Sequence, residues 1–279
     1  MKKSETFLNL MRLIIDNYLK TKTMNLLRNA LLGLVILIAL PSQAQTADEI
    51  LNTYFENIGG KENLQAIKGV KMTAKLNQQG MEIPIEIYQM TDGRQMTLIK
   101  FQGKEIKQDV YDGENLWSTN FMTMKAEKSD AETTANFKLA TNDFPDPFLN
   151  YQEKGYTVEY VGQETAEGTE TFKIKLVREP LTIDGQKVED VAYYYFDAEN
   201  YVPIAVESEI HQGPMKGQVQ YVTMSDYQEV NGIYFPFSMN QGIKNGPSQP
   251  IAMDSIELNP EVDAAAFAFP EEEIGTSNE

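Results

Sequence analysis

The sequence contains no cysteine, and it has only one histidine and one tryptophan in 279 residues. Without cysteine the chain can form no disulfide, and it has no thiol for catalysis or for a zinc site. His211 alone cannot build a multi-histidine metal centre, and no Gly-x-Ser-x-Gly motif indicates a serine hydrolase. His211 directly precedes a Gln-Gly-Pro sequence, which indicates an ordinary residue at the end of a strand. The sequence therefore predicts no catalytic residue, no metal site and no cofactor.

Basic residues are also scarce, with 24 Lys and Arg against 41 Asp and Glu and a net charge of −17. A surface this acidic repels phosphate backbones and anionic membranes, which argues against nucleic-acid binding. Abundant carboxylates leave one catalytic possibility, because Glu207 and Glu209 lie two residues apart and would share one face of a strand. Two residues of so common a type are expected to fall at this spacing by chance. A secreted carboxylate-dependent hydrolase is therefore a remote alternative.

Residues 1–44 are interpreted as an N-terminal extension and a signal peptide. A possible second start at Met24 is followed by one charged residue, Arg28, and then by an uncharged apolar run over 30–40. This run has the length of a signal-peptide core and is too short to cross a bilayer as a helix. Small residues after the run favour cleavage following Ala44, and the alternative is an uncleaved membrane anchor. Whether Met1 or Met24 is the true start stays open.

Cleavage would leave a single domain, residues 45–279, in which we find no linker, low-complexity segment or repeat. A chain of this length can bury a large core without disulfides. The absence of cysteine at the cleavage point predicts that the exported protein carries no lipid anchor. We expect it to be a monomer.

The domain is predicted to open with a helix and to continue with strands. Thr46 and Glu49 have the spacing of a capping box, apolar residues follow at helical spacing, and Gly59-Gly60 ends the helix. A short second helical turn is predicted over 62–67. Strand-like alternation then replaces the helical period, with turn sequences such as Asp-Gly and Asn-Gly between the runs. The predicted strands cover 70–77, 81–88, 95–101, 105–111, 115–121, 157–162, 171–178, 188–196, 204–211, 217–227, 233–241 and 251–257.

The short connections between neighbouring strands predict a mainly antiparallel sheet, since parallel strands need long crossovers. About a dozen strands in one sheet should curl toward a barrel. Residues 125–151 break the strand pattern, beginning with charged residues and continuing with three phenylalanines and two prolines. This stretch is either a surface insertion over one barrel end or a mobile lid over an apolar interior.

Several motifs resemble the periplasmic lipoprotein-carrier family, the LolA-like outer-membrane lipoprotein-sorting proteins. The sequence Val-Tyr-Asp-Gly-Glu-Asn-Leu-Trp at 110–117 resembles the family's hairpin signature. The stretch 259–270, with Val-Asp-x-x-x-Phe-x-Phe before a proline, looks like the family's closing strand. The Ile-Gly-Gly at 58–60 and Asn-Gly-Ile-Tyr-Phe-Pro at 231–236 are similar to longer family members.

The resemblance implies an incomplete antiparallel β-barrel with an N-terminal helix and a helical or loop lid over an apolar cavity. It implies a periplasmic carrier, not an enzyme, that shields the acyl chains of lipoproteins or other lipids for delivery to the outer membrane. An inner-membrane donor complex and an outer-membrane acceptor would be its partners. A lid-bonding arginine of the family corresponds at best to Arg94, where the family's following proline is absent. The chain is also longer, mostly between Arg178 and Gln241.

The acyl-binding residues are predicted among side chains expected to face the cavity or the lid. A one-residue register error would invert half of them, because alternate residues of a strand face opposite ways. A non-carrier sensor or scaffold that binds exported proteins through the same fold is the main alternative. The predicted residues are Met72, Leu76, Ile85, Ile87, Leu98, Trp117, Phe137, Phe144 and Phe148.

Overall fold

The computed structural model describes residues 45–78 and 80–270, and Met11 by itself. The predicted signal peptide, with its cleavage after Ala44, lies outside the described residues. Among those that are described, no helix is long and apolar enough to cross a membrane. From Thr46 onward the described residues belong to one compact unit.

Three helices are present in the described residues: α1 (Ala47–Asn57), α2 (Lys61–Gln65) and α3 (Ala131–Thr141). The predicted capping box of α1 is confirmed. The Thr46 hydroxyl accepts a hydrogen bond from the Glu49 N–H at 3.2 Å, and the Glu49 carboxylate accepts one from the Thr46 N–H at 2.9 Å. Gly59 ends the helix at φ 115°, and a Cβ there would lie 2.0 Å from the Gly232 carbonyl oxygen. Glycine is therefore required at this close approach.

Thirteen strands form one antiparallel sheet in the order β6-β5-β4-β3-β2-β1-β15-β14-β13-β12-β11-β8-β7, and β9 and β10 form a separate hairpin. The sheet does not close, since β6 and β7 are its two edges. The prediction of an incomplete antiparallel barrel is confirmed, as one large antiparallel sheet whose edges do not pair. The strands are β1 (Gly69–Gln78), β2 (Met81–Met90), β3 (Gln95–Phe101), β4 (Lys104–Tyr111), β5 (Leu116–Thr119), β6 (Ala126–Lys128), β7 (Thr157–Ala166), β8 (Thr169–Val177), β9 (Leu181–Ile183), β10 (Gln186–Val188), β11 (Val191–Asp197), β12 (Pro203–Glu209), β13 (Val219–Val230), β14 (Ile233–Ile243) and β15 (Ser248–Leu258).

One face of the sheet, which we call the helix face, packs against α1 and the segment that follows α3. The apolar stripe of α1, from Ile50 to Phe55, meets side chains from β1, β8, β11, β14 and β15. At its centre the Phe196 ring packs edge to face on two others, with its centroid 5.3 Å from that of Tyr54 and 5.6 Å from that of Phe148. This core holds the central and β7-side strands together. Its fully buried members include Ile50, Ile174, Leu176 and Phe196.

The other face, called the outer face, is covered over β2–β5 by the C-terminal segment 259–270. Trp117 donates its indole N–H to the Phe267 carbonyl at 3.0 Å, and Phe267 is fully buried against Val110 and Met96. The expectation of a closing strand is wrong here. The Asp263 carboxylate caps the Ala265 N–H at 2.9 Å and starts a 3-10 turn over Ala264–Ala266, so the segment leaves the strand conformation.

Candidate functional site

An apolar strip continues the helix face beyond the core, along the strands β1–β4. The pairings Leu76↔Ile83, Ile85↔Ile99 and Ile99↔Ile106 place these side chains on one face, because directly paired residues of antiparallel strands share a face. The apolar strip consists of Leu76, Ile83, Ile85, Ile87, Ile99 and Ile106. Its members are buried or half-buried. An acyl chain would be shielded from water against such a surface.

Helix α3 lies on the same face. Its Phe137 ring packs against Tyr111 of β4, with centroids 5.7 Å apart, and lines a recess with Ile87 of the strip. The helix begins at Asp130, whose side chain accepts from the Thr133 N–H at 2.7 Å. No side chain of α3 is fully buried. A helix of eleven residues without a buried stripe takes little stability from packing.

Hydrogen bonds to the β9–β10 hairpin hold α3 instead. The Asn136 side chain donates to the Thr182 carbonyl at 2.7 Å and accepts from the Thr182 N–H at 2.9 Å. The Glu132 carboxylate accepts from the N–H groups of Asp184 and Gly185, both at 2.9 Å. We call these four bonds the latch. They join side chains of α3 to exposed or half-buried backbone of the hairpin, so they lie outside the core beneath α1.

Three recesses surround α3. One of about 490 Å³ lies between the helix and the β4–β5 turn, and one of about 330 Å³ lies between the helix end and the β2–β3 turn. A third, of about 150 Å³, lies beneath Phe137 above β2–β4. The two larger recesses fall in the size range of small-molecule sites. The helix is therefore not closely packed on the sheet.

The chain after α3 is fixed to the body of the protein. Asp146 is buried and accepts from the Tyr54 hydroxyl at 2.6 Å and from the Phe148 N–H at 2.8 Å. Burial raises the pKa of Asp146 above its ordinary value, and burial likewise raises the pKa of Tyr54. Arg178, the residue directly after β8, donates a hydrogen bond to the Asp143 carboxylate at 2.7 Å. Residues 143–148 thus form a rigid base from which α3 extends toward the latch.

The structure divides the nine predicted acyl-binding residues into three groups. Met72, Phe144 and Phe148 pack in or against the core beneath α1. Leu76, Ile85 and Ile87 belong to the apolar strip, and Phe137 faces it from α3.

The last group, Leu98 and Trp117, lies on the outer face. Leu98 pairs with Glu86 and Lys107, and the Trp117 ring packs edge to face on Phe269 at 5.8 Å. These two side chains are therefore not brought together with the others.

The Arg94 side chain also lies on the outer face and points away from α3. Its guanidinium bonds Asp92 at 2.8 Å and sits 5.2 Å from the centroid of the Phe267 ring, on the C-terminal segment. Its Nη1 is buried without a hydrogen-bond partner among the described residues. In this structure Arg94 contacts the segment on the outer face.

Sequence reasoning missed both the latch and part of the strip. The alternation in β3 and β4 shows that Ile99 and Ile106 lie on one face of their strands. Only the pairing of Ile99 with Ile85 shows that this face is that of the apolar strip. For the latch residues, the sequence marks only the start of their helix, where Asp130 before Ala131 is a possible N-cap, and nothing in it indicates the bonds of Glu132 and Asn136 to the hairpin. The hairpin β9–β10 was marked only by its Asp-Gly turn at 184–185.

The carboxylates Glu207 and Glu209 show no arrangement for hydrolysis. Glu207 is buried on the outer face, where it accepts from the Tyr195 hydroxyl at 2.7 Å and pairs with Lys244. Burial raises its pKa, but the hydrogen bonds from Lys244 and Tyr195 outweigh burial and leave the pKa of Glu207 below its ordinary value. A carboxyl group held ionised in this way is a poor general acid. In the described range no three His, Asp or Glu side chains are placed to hold a metal ion.

No protein-family model matches the sequence, and no characterised protein matches it. Solved structures do match. A candidate outer membrane lipoprotein-sorting protein domain from Vibrio parahaemolyticus superposes with a TM-score of 0.51 at 12% identity, covering 78% of this chain and 94% of that one. A LolA superfamily protein from Nitrosomonas europaea gives a TM-score of 0.48 at 13% identity, with 81% and 98% covered. The chain therefore has the fold of the Vibrio lipoprotein-sorting domain, as the sequence resemblance implies.

Proposed function

We propose that the protein is an exported, periplasmic carrier that shields an acyl chain of a lipoprotein or another lipid between the apolar strip and α3. One observation carries the proposal: a helix with no fully buried side chain is held by four hydrogen bonds beside the Ile87 end of the apolar strip, where its Phe137 faces Ile87 across a recess. A carrier must hold its cargo and also release it, and a lid that opens at low cost meets both needs. The fold shared with a lipoprotein-sorting domain agrees with this function.

The proposed acyl site leaves out three of the nine residues predicted from the sequence. It comprises the apolar strip and Phe137, with Met72 and Phe144 at the border of the core. Leu98 and Trp117 are left out because they lie on the outer face. The core residue Phe148 supports the base of α3 and is assigned a structural role.

A matched pair of variants on β2 tests the site. Ile87 faces the strip and Met90 faces outward, and both side chains are half-buried. Fully burying an isoleucine contributes about 1.5–3 kcal/mol, so Ile87→Gln should weaken binding of a fluorescent acyl-peptide by about tenfold or more. Met90→Gln should leave the affinity within about twofold. Equal loss in both variants, or in neither, would contradict the proposed site.

Native mass spectrometry of the exported chain tests the carrier class itself. A lipid or acylated-peptide adduct that disappears on delipidation is the expected result. A bare mass that stays bare after incubation with acylated peptides would instead favour the sensor or scaffold alternative.

A further inference from the structure

A further recess, of about 380 Å³, lies on the outer face of the sheet, opposite the face that carries α1, α3 and the apolar strip. A row of paired residues crosses β11–β14 beneath it: Tyr195↔Ala205, Ala205↔Thr223 and Thr223↔Asn240. Directly paired residues share a face, and Tyr195 bonds the outer-face residue Glu207, so the whole row lies on the outer face. We call this recess the outer cleft. None of the described residues of the C-terminal segment lines it.

The β7–β8 turn forms one wall of the outer cleft by folding over this row. Ala166, at the end of β7, packs against Tyr195 and Ala205. Beside it, the Glu167 carboxylate accepts a hydrogen bond from the Tyr221 hydroxyl of β13 at 3.0 Å. The turn therefore reaches across β11 and β12, which lie between β8 and β13 in the sheet. The small side chains of Ala166 and Ala205 permit this close approach.

The β14–β15 turn forms a second wall, and its tight fold requires glycine. A Cβ on Gly242 would lie 2.3 Å from the Pro247 carbonyl oxygen and 2.5 Å from the Ser248 Cα. Lys244 of this turn lies over the Tyr221 ring, 5.8 Å from its centroid. Contacts within the protein thus hold both walls, as in the largely pre-formed pockets that bind small molecules.

Three polar side chains that line the outer cleft make no hydrogen bond to any described residue: Thr223, Asn240 and Ser248. The Oδ1 atom of Asn240 is buried as well. A buried acceptor without a donor costs free energy, and native structures pair nearly all such groups. The unpaired amide therefore indicates a hydrogen-bonding partner that binds in the cleft.

The charged groups of the outer cleft are already engaged. Glu164 pairs with Lys173 at 2.9 Å, and Lys244 pairs with Glu207. The remaining charged lining residue, Glu167, accepts the tyrosine hydroxyl of the first wall. An ionic ligand would have to compete with these pairs, and an acyl chain would leave the polar side chains unpaired. A neutral ligand rich in hydroxyl groups avoids both costs.

We propose that the outer cleft binds a short neutral saccharide, whose hydroxyl groups bond Thr223, Asn240 and Ser248. Its C–H groups pack on the exposed part of the Tyr221 ring, since tyrosine combines an apolar ring with a polar tip. A volume of about 380 Å³ lies at the low end of small-molecule sites, which fits a short saccharide better than a long glycan. This inference goes beyond the proposed carrier function and does not depend on it, because the cleft and the apolar strip lie on opposite faces.

Saturation-transfer NMR on the full chain, recovered after export, tests the site. The probes are glucose, galactose, N-acetylglucosamine, maltose and lactose at millimolar concentration, with the diamine putrescine as a cationic comparison. We expect saturation transfer to at least one sugar and none to putrescine. Titration of the sugar that binds then gives its affinity for each variant.

Variants that remove one hydrogen-bonding group with little change in shape locate the site. Thr223→Val and Asn240→Leu should each weaken sugar binding by about fivefold or more. The matched control is Ser225→Ala, because Ser225 lies two residues along β13 on the same face and outside the cleft. It should stay within about twofold of wild type. In Asn240→Leu the melting temperature should not fall, since the amide has no partner within the fold.

Several results would overturn the proposal: no transfer to any sugar of the panel, binding of putrescine alone, or equal loss of affinity in Thr223→Val and Ser225→Ala. A lower melting temperature in Asn240→Leu with unchanged sugar binding would assign the amide to the fold and also overturn it. Acyl-peptide affinity should not change in any of these variants, so failure of saccharide binding and failure of the carrier function are separable.

Discussion

Removing half of the latch should loosen α3 without unfolding the sheet. In Asn136→Ala, both hydrogen bonds to Thr182 are lost. At about 0.5–1.5 kcal/mol for each bond, the helix should open more easily by about 1–3 kcal/mol. This corresponds to roughly 5–150-fold faster exchange of the α3 amide hydrogens, because exchange in this region follows the local opening equilibrium.

Hydrogen exchange with mass spectrometry measures this directly, peptide by peptide. Amides of the core strands β8 and β11 should exchange as in wild type, since α3 contributes no buried side chain to their core. The variant Asn142→Ala is the matched control, because Asn142 is exposed and takes no part in the latch. Unchanged α3 exchange in Asn136→Ala, or equal acceleration of α3 and the core strands, would refute the description of α3 as an independent latched lid.

Three further predictions concern the supports of the site. Because burial raises the pKa of Asp146, its contribution to stability is present below pH 4 and is lost as the pH rises through its folded pKa. In Asp146→Asn the melting temperature should therefore depend less on pH between pH 4 and neutrality. A variant that keeps the wild-type pH dependence would show that Asp146 is not its cause. Trp117→Phe leaves the buried Phe267 carbonyl unpaired and should cost about 1–3 kcal/mol in urea unfolding with acyl-peptide affinity unchanged; reduced affinity would return Trp117 to the acyl site. Hydrogen bonds from Lys100 and Tyr88 hold the pKa of Glu86 at about 2, so its stabilising effect should disappear as the pH falls from about 4.5 through 2, and Glu86→Gln should lack this acid transition.

The elements of the fold were predictable because they depend on local patterns. The capping box at Thr46 and Glu49 and the alternation of strands such as β2 require only neighbouring residues. The short turns indicated a mainly antiparallel sheet. Twelve strands were predicted where the described residues form fifteen, because β6, β9 and β10 have only three residues each and show no clear alternation. The order of the strands, in which β1 lies beside β15 and β8 beside β11, depends on long-range pairing and was not predicted.

The faces of the strands were less predictable, because they depend on distant pairings and on one irregularity. On β4, Asp109 adopts φ 51° and inserts an extra residue, so that Gln95 pairs with Tyr111 while Thr97 pairs with Gln108. The bulge turns Val110, and with it Trp117, to the outer face. A regular alternation would have placed both on the strip. For β3, the choice between Leu98 and Ile99 required the register with β2.

The candidate lid was located by sequence, but its mode of attachment was not. A stretch with three phenylalanines suggested apolar packing, whereas Phe144 and Phe148 anchor the base and only Phe137 faces the strip. The latch joins α3 to a hairpin about 50 residues away in sequence, through side chains that bond backbone groups. Such contacts follow no sequence period.

Photo-crosslinking with an acyl-peptide that carries a diazirine within its acyl chain shows directly which face of the sheet binds the chain. After irradiation of the bound complex, the modified residues are mapped by mass spectrometry. If the acyl chain binds between the apolar strip and α3, crosslinks should form at Ile85, Ile87 or Ile99 and on Phe137. Crosslinks confined to the outer face, around Trp117 and the C-terminal segment, or no specific crosslink at saturating ligand, would contradict this binding mode.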